Sequence, residues 1–170
     1  LLCFTQMVRA GITTVGEFHY VHNAVDSFDR RAEELSRIVI RAARRVGLRI
    51  AFLRTVYDVA KRTGQKRFAQ SPEEAFAGIR ALAEEYHGDD CVSVLPAPHS
   101  LHGASREAIE GSAALAAELG GRWHIHLAEQ EEDVPFAEEA YGARPLQTLE
   151  AWGVLDERTT LVHGIWLDEG

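Results

Sequence analysis

The chain has 170 residues, of which 46% are hydrophobic and 26% are charged, a balance typical of a soluble globular protein with one buried core. The formal net charge is −8 and the basic residues are scattered, which argues against a nucleic-acid surface because such a surface needs clustered basic residues. No apolar run approaches the roughly 18 residues of a membrane span, and no signal peptide is visible. The two cysteines, Cys3 and Cys91, form no redox or metal-binding pair, so a reduced, cytoplasmic protein without membrane or nucleic-acid partners is predicted.

Five short apolar runs rich in β-branched residues predict five strands. They lie at residues 12–18, 49–56, 91–97, 123–128 and 160–166. Largely continuous apolar runs are typical of parallel sheets, whose strands are covered on both faces. Helical patterns lie between the strands, at residues 25–46, 71–86 and 105–120, with two short helices within 131–153. The chain begins without a methionine inside a predicted helix and stops where the next helix would begin, so an internal fragment of a longer protein is expected.

Strands that alternate with helices predict a parallel α/β sheet with right-handed connections. Two architectures fit this order, an open doubly wound sheet and an arc of an eight-stranded barrel. Polar side chains at the C-terminal ends of several strands favour the barrel, because barrel enzymes take their catalytic groups from that rim. These side chains are Glu17, His19, His99, His126, Glu129 and His163. The glycine-rich turn of a nucleotide-binding open sheet is absent from the sequence.

The segment from Trp123 to Gln130 carries the strongest local signal. His124 and His126 are two residues apart on a strand and therefore share one face. His126 could offer a neutral imidazole to zinc, and Glu129 could exchange a proton with a metal-activated water. A structural role, with packed histidines and a solvated Glu129, explains the same residues. The acids from 131 to 133 are predicted to be a solvated helix start.

Three further motifs have both a chemical and a structural interpretation. His163, which follows a β-branched strand and precedes a glycine, could orient the attacking water. His99 follows two prolines that stiffen the strand exit. The segment 17–22 could line a pocket with the Tyr20 hydroxyl and an imidazole, or form an aromatic cluster over the core. What favours chemistry is that all these groups fall at the same end of successive strands.

Several motifs, taken in this order and spacing, resemble the amidohydrolase superfamily, and within it the aminohydrolase branch that includes formimidoylglutamate deiminase. They lie at residues 11–22, 66–68 with 71–74, 97–101, 124–130, and 153–158 with 161–163. The resemblance implies strands two to six of a (β/α)8 TIM-type barrel, so that residues 1–170 form an incomplete catalytic barrel.

The resemblance also implies a role for each matching residue. His126 matches a zinc ligand, Glu129 the glutamate that shuttles protons, and His163 the histidine beside the attacking water. His99 and Tyr20 match positions that contact the substrate. Members of the superfamily with two metal ions often carry a modified lysine that bridges the ions at the end of the fourth strand. No lysine follows the strand that leads to His99, so the resemblance implies one metal ion, Zn²⁺ or alternatively Fe²⁺. The implied reaction is hydrolysis of a C–N bond in a small amidine, imine or amino-heterocycle. A homodimer is one possible assembly of the longer parent protein.

Two departures from the family pattern matter. The first-strand His-x-His pair and the eighth-strand aspartate do not occur in the chain, and one histidine cannot hold catalytic zinc, so the chain alone is expected to be inactive. His102 stands where formimidoylglutamate deiminases usually carry an arginine that binds a substrate carboxylate. A nucleobase or nucleoside deaminase is therefore an alternative. So are a metal-free binding barrel and a truncated product whose unpaired strand edges favour aggregation.

Overall fold

The computed structural model describes residues 1–23, 33–60 and 63–168. Helices alternate with parallel strands, which confirms the predicted α/β class. The strands are β1 (Thr14–His19), β2 (Arg49–Val56), β3 (Val92–Pro98), β4 (Trp123–Leu127) and β5 (Thr159–His163). The helices are α1 (Leu2–Arg9), α2 (Glu34–Arg45), α3 (Pro72–Glu85), α4 (Arg106–Glu118), α5 (Asp133–Tyr141) and α6 (Pro145–Ala151), with a 3-10 helix at Thr63–Arg67. In the described part of the chain, no helix is long and apolar enough to cross a membrane.

The strands form two parallel groups that meet at one point. β1, β2 and β3 make one sheet in that order, and β4 pairs with β5. The backbone N–H of His126 donates to the carbonyl oxygen of His99 at 3.0 Å, which joins the end of β3 to β4. Because paired strands run in the same direction within each group, the C-terminal ends of β3, β4 and β5 come together at one edge.

Alternation along β4 separates the core from the candidate site. Trp123, Ile125 and Leu127 are buried in the core that the helices cover. His124 and His126 are half-buried on the opposite face, which confirms the prediction that they share a face. Burial of the apolar residues therefore determines where the two imidazoles point.

Several element bounds differ from the sequence-based prediction, and the differences at β1, β5 and α2 are the largest. β1 begins at Thr14 and not at Ile12, because the Ile12 N–H still bonds the Met7 carbonyl at the end of α1. β5 ends at His163 and not at 166, because His163 and Gly164 both have positive φ, 74° and 62°. The helix predicted at 25–46 is present as α2, and residues 24–32 of that prediction lie outside the described residues.

A buried ion pair ties β2 to the start of α2. The Arg54 side chain is 0% exposed and donates through Nε and Nη2 to the two carboxylate oxygens of Glu33, at 2.9 and 2.7 Å. The same guanidinium donates to Gln70 Oε1 at 2.5 Å, on the loop that leads to α3. Gly78 of α3 provides the space for the Glu33 carboxylate, because a Cβ at position 78 would lie 2.3 Å from Glu33 Oε1. The pair thus links two loops that begin at the C-terminal ends of β1 and β2.

Candidate active site

His126 lies near the end of β4 with one ring nitrogen engaged and the other free to bind a metal. Its Nδ1 is 3.0 Å from the His99 carbonyl oxygen, and since a carbonyl oxygen only accepts, Nδ1 carries the proton. Burial lowers the pKa of His126, so the neutral form is favoured. A neutral imidazole whose Nδ1–H is held by a carbonyl is the usual form of a histidine metal ligand. The residue therefore fits a zinc site through Nε2.

Glu129 and His163 lie beside His126. The Nε2 atom of His163 is 3.4 Å from Oε2 of Glu129, and the rings of His126 and His163 are centred 5.3 Å apart. Both Glu129 and His163 remain about one third exposed, which leaves them open to a substrate. The structure thus brings together the three residues to which the resemblance assigns metal binding and proton transfer. Their roles stay predictions.

His99 and Tyr20 form a second group next to His126. The Tyr20 hydroxyl is 2.8 Å from His99 Nδ1, and the rings of His99 and His126 are centred 5.3 Å apart. Burial raises the pKa of Tyr20, and it lowers the pKa of His99 to about 4. At neutral pH both groups are uncharged, so a hydrogen bond and no ion pair connects them.

His102 lies at the outer side of this group. Its ring is edge-on to His99 with centroids 5.2 Å apart, and its Nδ1 is 3.4 Å from Oδ1 of Asp133. A cavity of about 10 Å³ is bordered by His102, His126 and Asp133, which is space for about one water molecule. The His102 imidazole thus faces a carboxylate of the protein itself.

His19 and His22 lie on the other side of β1, away from this group. The His19 ring packs on Phe52 of the core, with centroids 5.1 Å apart, and His22 Nε2 donates to the Thr55 carbonyl at 2.9 Å. Neighbouring Phe18 points the opposite way, its ring 4.5 Å from that of His126. In the segment 17–22, which was predicted to line a pocket, Tyr20 contacts His99, while the His19 and His22 imidazoles contact β2.

The buried histidines predict a loss of stability in acid. Burial lowers the pKa of His19 to about 4 and that of His22 to about 2, from an ordinary 6.5. Below pH 6.5 the two histidines bind protons in the unfolded chain but stay neutral in the folded chain until their lowered pKa values are reached. The free energy of unfolding therefore falls, as the pH falls, by at most about 1.4 kcal/mol per pH unit for each histidine. Unfolding by urea between pH 7 and 4.5 measures this slope.

We expect His19→Gln to reduce that slope and His87→Gln, at an exposed position, to leave it unchanged. An equal slope in the wild-type chain and the His19 variant would contradict the assignment.

Two residues near the site escaped the sequence-based prediction. Asp133, expected to be solvated, is only 19% exposed because its carboxylate accepts the backbone N–H groups of Glu129 and Gln130. Tyr57 stacks on His99 with ring centroids 5.0 Å apart. Gly103 allows this packing, since a Cβ there would lie 2.4 Å from the His99 ring. The pattern of an acid at the start of a helix could have indicated Asp133; nothing in the sequence indicates the stack.

The described residues, 1–23, 33–60 and 63–168, contain no group of three or more histidine, cysteine or acidic side chains that could hold a metal ion. The prediction named His126 as a metal ligand, and its Nε2 atom is available for that role. A catalytic zinc needs about three protein ligands. If a metal binds at His126, further ligands have to come from outside this set of residues.

The family model described as the amidohydrolase family matches residues 1–170. A 5-methylthioadenosine/S-adenosylhomocysteine deaminase from Aquifex aeolicus is 31% identical over 169 residues, 99% of this chain and 35% of the relative. A protein with the same name from Bacillus cytotoxicus is 30% identical over 164 residues, 96% of this chain and 34% of the relative. The chain thus spans about a third of the length of these relatives.

Solved structures agree with this relationship. An amidohydrolase from Brucella melitensis superimposes with a TM-score of 0.88 at 27% identity, over 97% of this chain and 38% of that one. An adenosine deaminase from Xanthomonas campestris with bound zinc has a TM-score of 0.82 at 24% identity, over 99% of this chain and 34% of that one. These likenesses confirm the predicted partial (β/α)8 barrel. The narrower resemblance to formimidoylglutamate deiminase stays a prediction. The chain belongs to the amidohydrolase family.

Proposed function

We propose that the protein carrying this chain is a metal-dependent aminohydrolase that releases ammonia from a small amidine, imine or amino-heterocycle. The observation that carries the proposal is the convergence of His126, Glu129 and His163 from the ends of two adjacent strands, with His163 Nε2 and Glu129 Oε2 3.4 Å apart. Zinc is the proposed metal, with iron as the alternative, and His126 is its ligand from this chain.

The chain's own residues supply proton transfer and orientation. When bound, the metal activates a water molecule for attack on a carbon that carries nitrogen. Glu129 accepts a proton from that water and donates it to the leaving nitrogen, because its carboxylate is partly exposed and lies within reach of His163. His163 orients the attacking water through Nε2. The His99 carbonyl holds the ring of His126 in place.

Two substrate classes remain, and different observations favour them. The motif at 11–22 favours formimidoylglutamate, since it belongs to the resemblance to formimidoylglutamate deiminase, which matches Tyr20 and His99 to positions that contact the substrate. The imidazole at His102 and the names of the two relatives favour an aminopurine nucleoside, which does not require an arginine to bind a carboxylate. A role as a metal-free binding barrel is the alternative outside the enzymes.

Ammonia release tests the proposal. We expect the full-length protein, purified with stoichiometric zinc or iron, to release ammonia from either formimidoylglutamate or 5′-methylthioadenosine, and a chelator to abolish the activity. Release from one compound alone identifies the class. A protein without bound metal, or a metal-loaded protein that releases ammonia from neither compound nor from adenosine, would contradict the aminohydrolase proposal.

A further inference from the structure

Asp133 connects two parts of the candidate site that are distant in sequence. Its Oδ2 accepts the backbone N–H groups of Glu129 and Gln130 at 2.9 and 3.0 Å. Its Oδ1 lies 3.4 Å from Nδ1 of His102, on the loop that follows β3. One carboxylate thus contacts both the turn that carries the proposed proton shuttle and a residue proposed to contact the substrate.

The turn at Glu129 needs such a partner because its backbone is unusual. Ala128 adopts a left-handed conformation with φ of 50°, which residues with a Cβ rarely adopt unless their surroundings enforce it. The two N–H groups that follow both point to Asp133, and the Ala128 carbonyl accepts the N–H groups of Ile165 and Trp166 at 3.0 Å. These bonds hold the turn from both sides. The Glu129 side chain consequently extends toward His163.

We propose that Asp133 is a positioning residue, which aims Glu129 toward His163 through the backbone of the turn. This inference rests on the proposed function. Asp133 itself does not touch the reacting atoms, so its effect on turnover passes through Glu129.

A double-mutant cycle tests this role in the metal-loaded full-length protein. We expect Asp133→Ala to lower kcat about 10- to 100-fold, the range in which loss of a supporting hydrogen-bond partner lies. In a Glu129→Gln background the same change should lower kcat less than 3-fold, because the group that Asp133 aims is no longer functional. Asp133→Glu should recover part of the activity. An equal loss of kcat in both backgrounds would overturn the proposal.

Asp89→Ala is the matched control. Asp89 is 20% exposed and accepts the Cys91 N–H at 3.0 Å in a turn before β3, far from the site. Asp89→Ala should change kcat less than 2-fold. A loss of kcat as large as that of Asp133→Ala would show that the loss comes from a general loosening of the fold and not from the aim of Glu129.

Hydrogen exchange separates this inference from the proposed function. The amides of Glu129 and Gln130 should exchange at least 10-fold faster in Asp133→Ala than in the wild-type protein, whether or not ammonia is released. Unchanged exchange at both amides would refute the positioning role. Faster exchange in a protein without activity would contradict the proposed function and leave the contact itself established.

Discussion

Replacing Glu129 with glutamine is expected to lower kcat for ammonia release about 100- to 10,000-fold and to leave the metal content unchanged. Glutamine keeps the size and the hydrogen-bonding oxygen of the side chain but cannot exchange a proton. The Glu129 carboxylate is partly exposed and lies 3.4 Å from His163, so it is accessible both to water and to a leaving nitrogen. Steady-state kinetics together with metal analysis of the same preparation measure both quantities.

Glu131→Gln is the control for this prediction, because Glu131 is an exposed acid two residues away. It should leave kcat within about 2-fold, as expected for a surface charge outside the site. If Glu129→Gln and Glu131→Gln have equal activity, the carboxylate of Glu129 does not transfer protons. If Glu129→Gln loses its metal, Glu129 contributes to metal binding instead.

Replacing Glu33 with alanine is expected to lower the free energy of unfolding by about 3–5 kcal/mol, because it leaves the buried Arg54 guanidinium without its carboxylate. Arg54 is 0% exposed and cannot turn to water. The change also removes the acceptor of the Ser36 hydroxyl, which lies 2.7 Å from Glu33 Oε2. Urea unfolding at pH 7 of the protein that carries this chain measures the effect.

An exposed pair with the same geometry is the control. Arg80 of α3 donates to both carboxylate oxygens of Glu118 at 2.8 and 2.7 Å, but both side chains are about half exposed. Glu118→Ala should therefore lower the free energy of unfolding far less than Glu33→Ala does, because water screens an exposed ion pair. Gly78→Ala should act in the same direction as Glu33→Ala, since its Cβ would displace the Glu33 carboxylate. Equal costs at Glu33 and Glu118 would show that the Arg54 pair is not effectively buried.

The strands and their common edge could be predicted because their signal is local. The run from Arg49 to Val56 is largely apolar and contains β-branched residues, and β2 has the predicted bounds. Once β4 and β5 are known to be parallel neighbours, His126 and His163 have to lie at the same edge. The convergence of the candidate site therefore follows from strand order and from the position of each residue at the end of its strand.

What the sequence could not indicate depends on contacts between distant segments. The pair of Arg54 and Glu33 joins residues 21 positions apart, and neither residue type is expected to be buried. The left-handed backbone at position 128 could not be predicted either, because the residue there is alanine and not the glycine that usually indicates such a conformation. The side on which His19 lies could have been read from its neighbour Phe18, since adjacent strand residues point to opposite faces. The position of Asp133 at the start of a helix indicates an acceptor of backbone N–H groups, but the turn at Glu129 that supplies these groups exists only in the folded chain.

Anomalous diffraction at the zinc absorption edge, from crystals of the zinc-loaded full-length protein, would show whether side chains from separate strands of this chain meet around one metal-activated water. We expect a zinc peak about 2.0–2.1 Å from Nε2 of His126, with Glu129 and His163 both within hydrogen-bonding distance of one shared water. A zinc peak that does not touch His126, or a Glu129 that points away from the zinc, would contradict this arrangement.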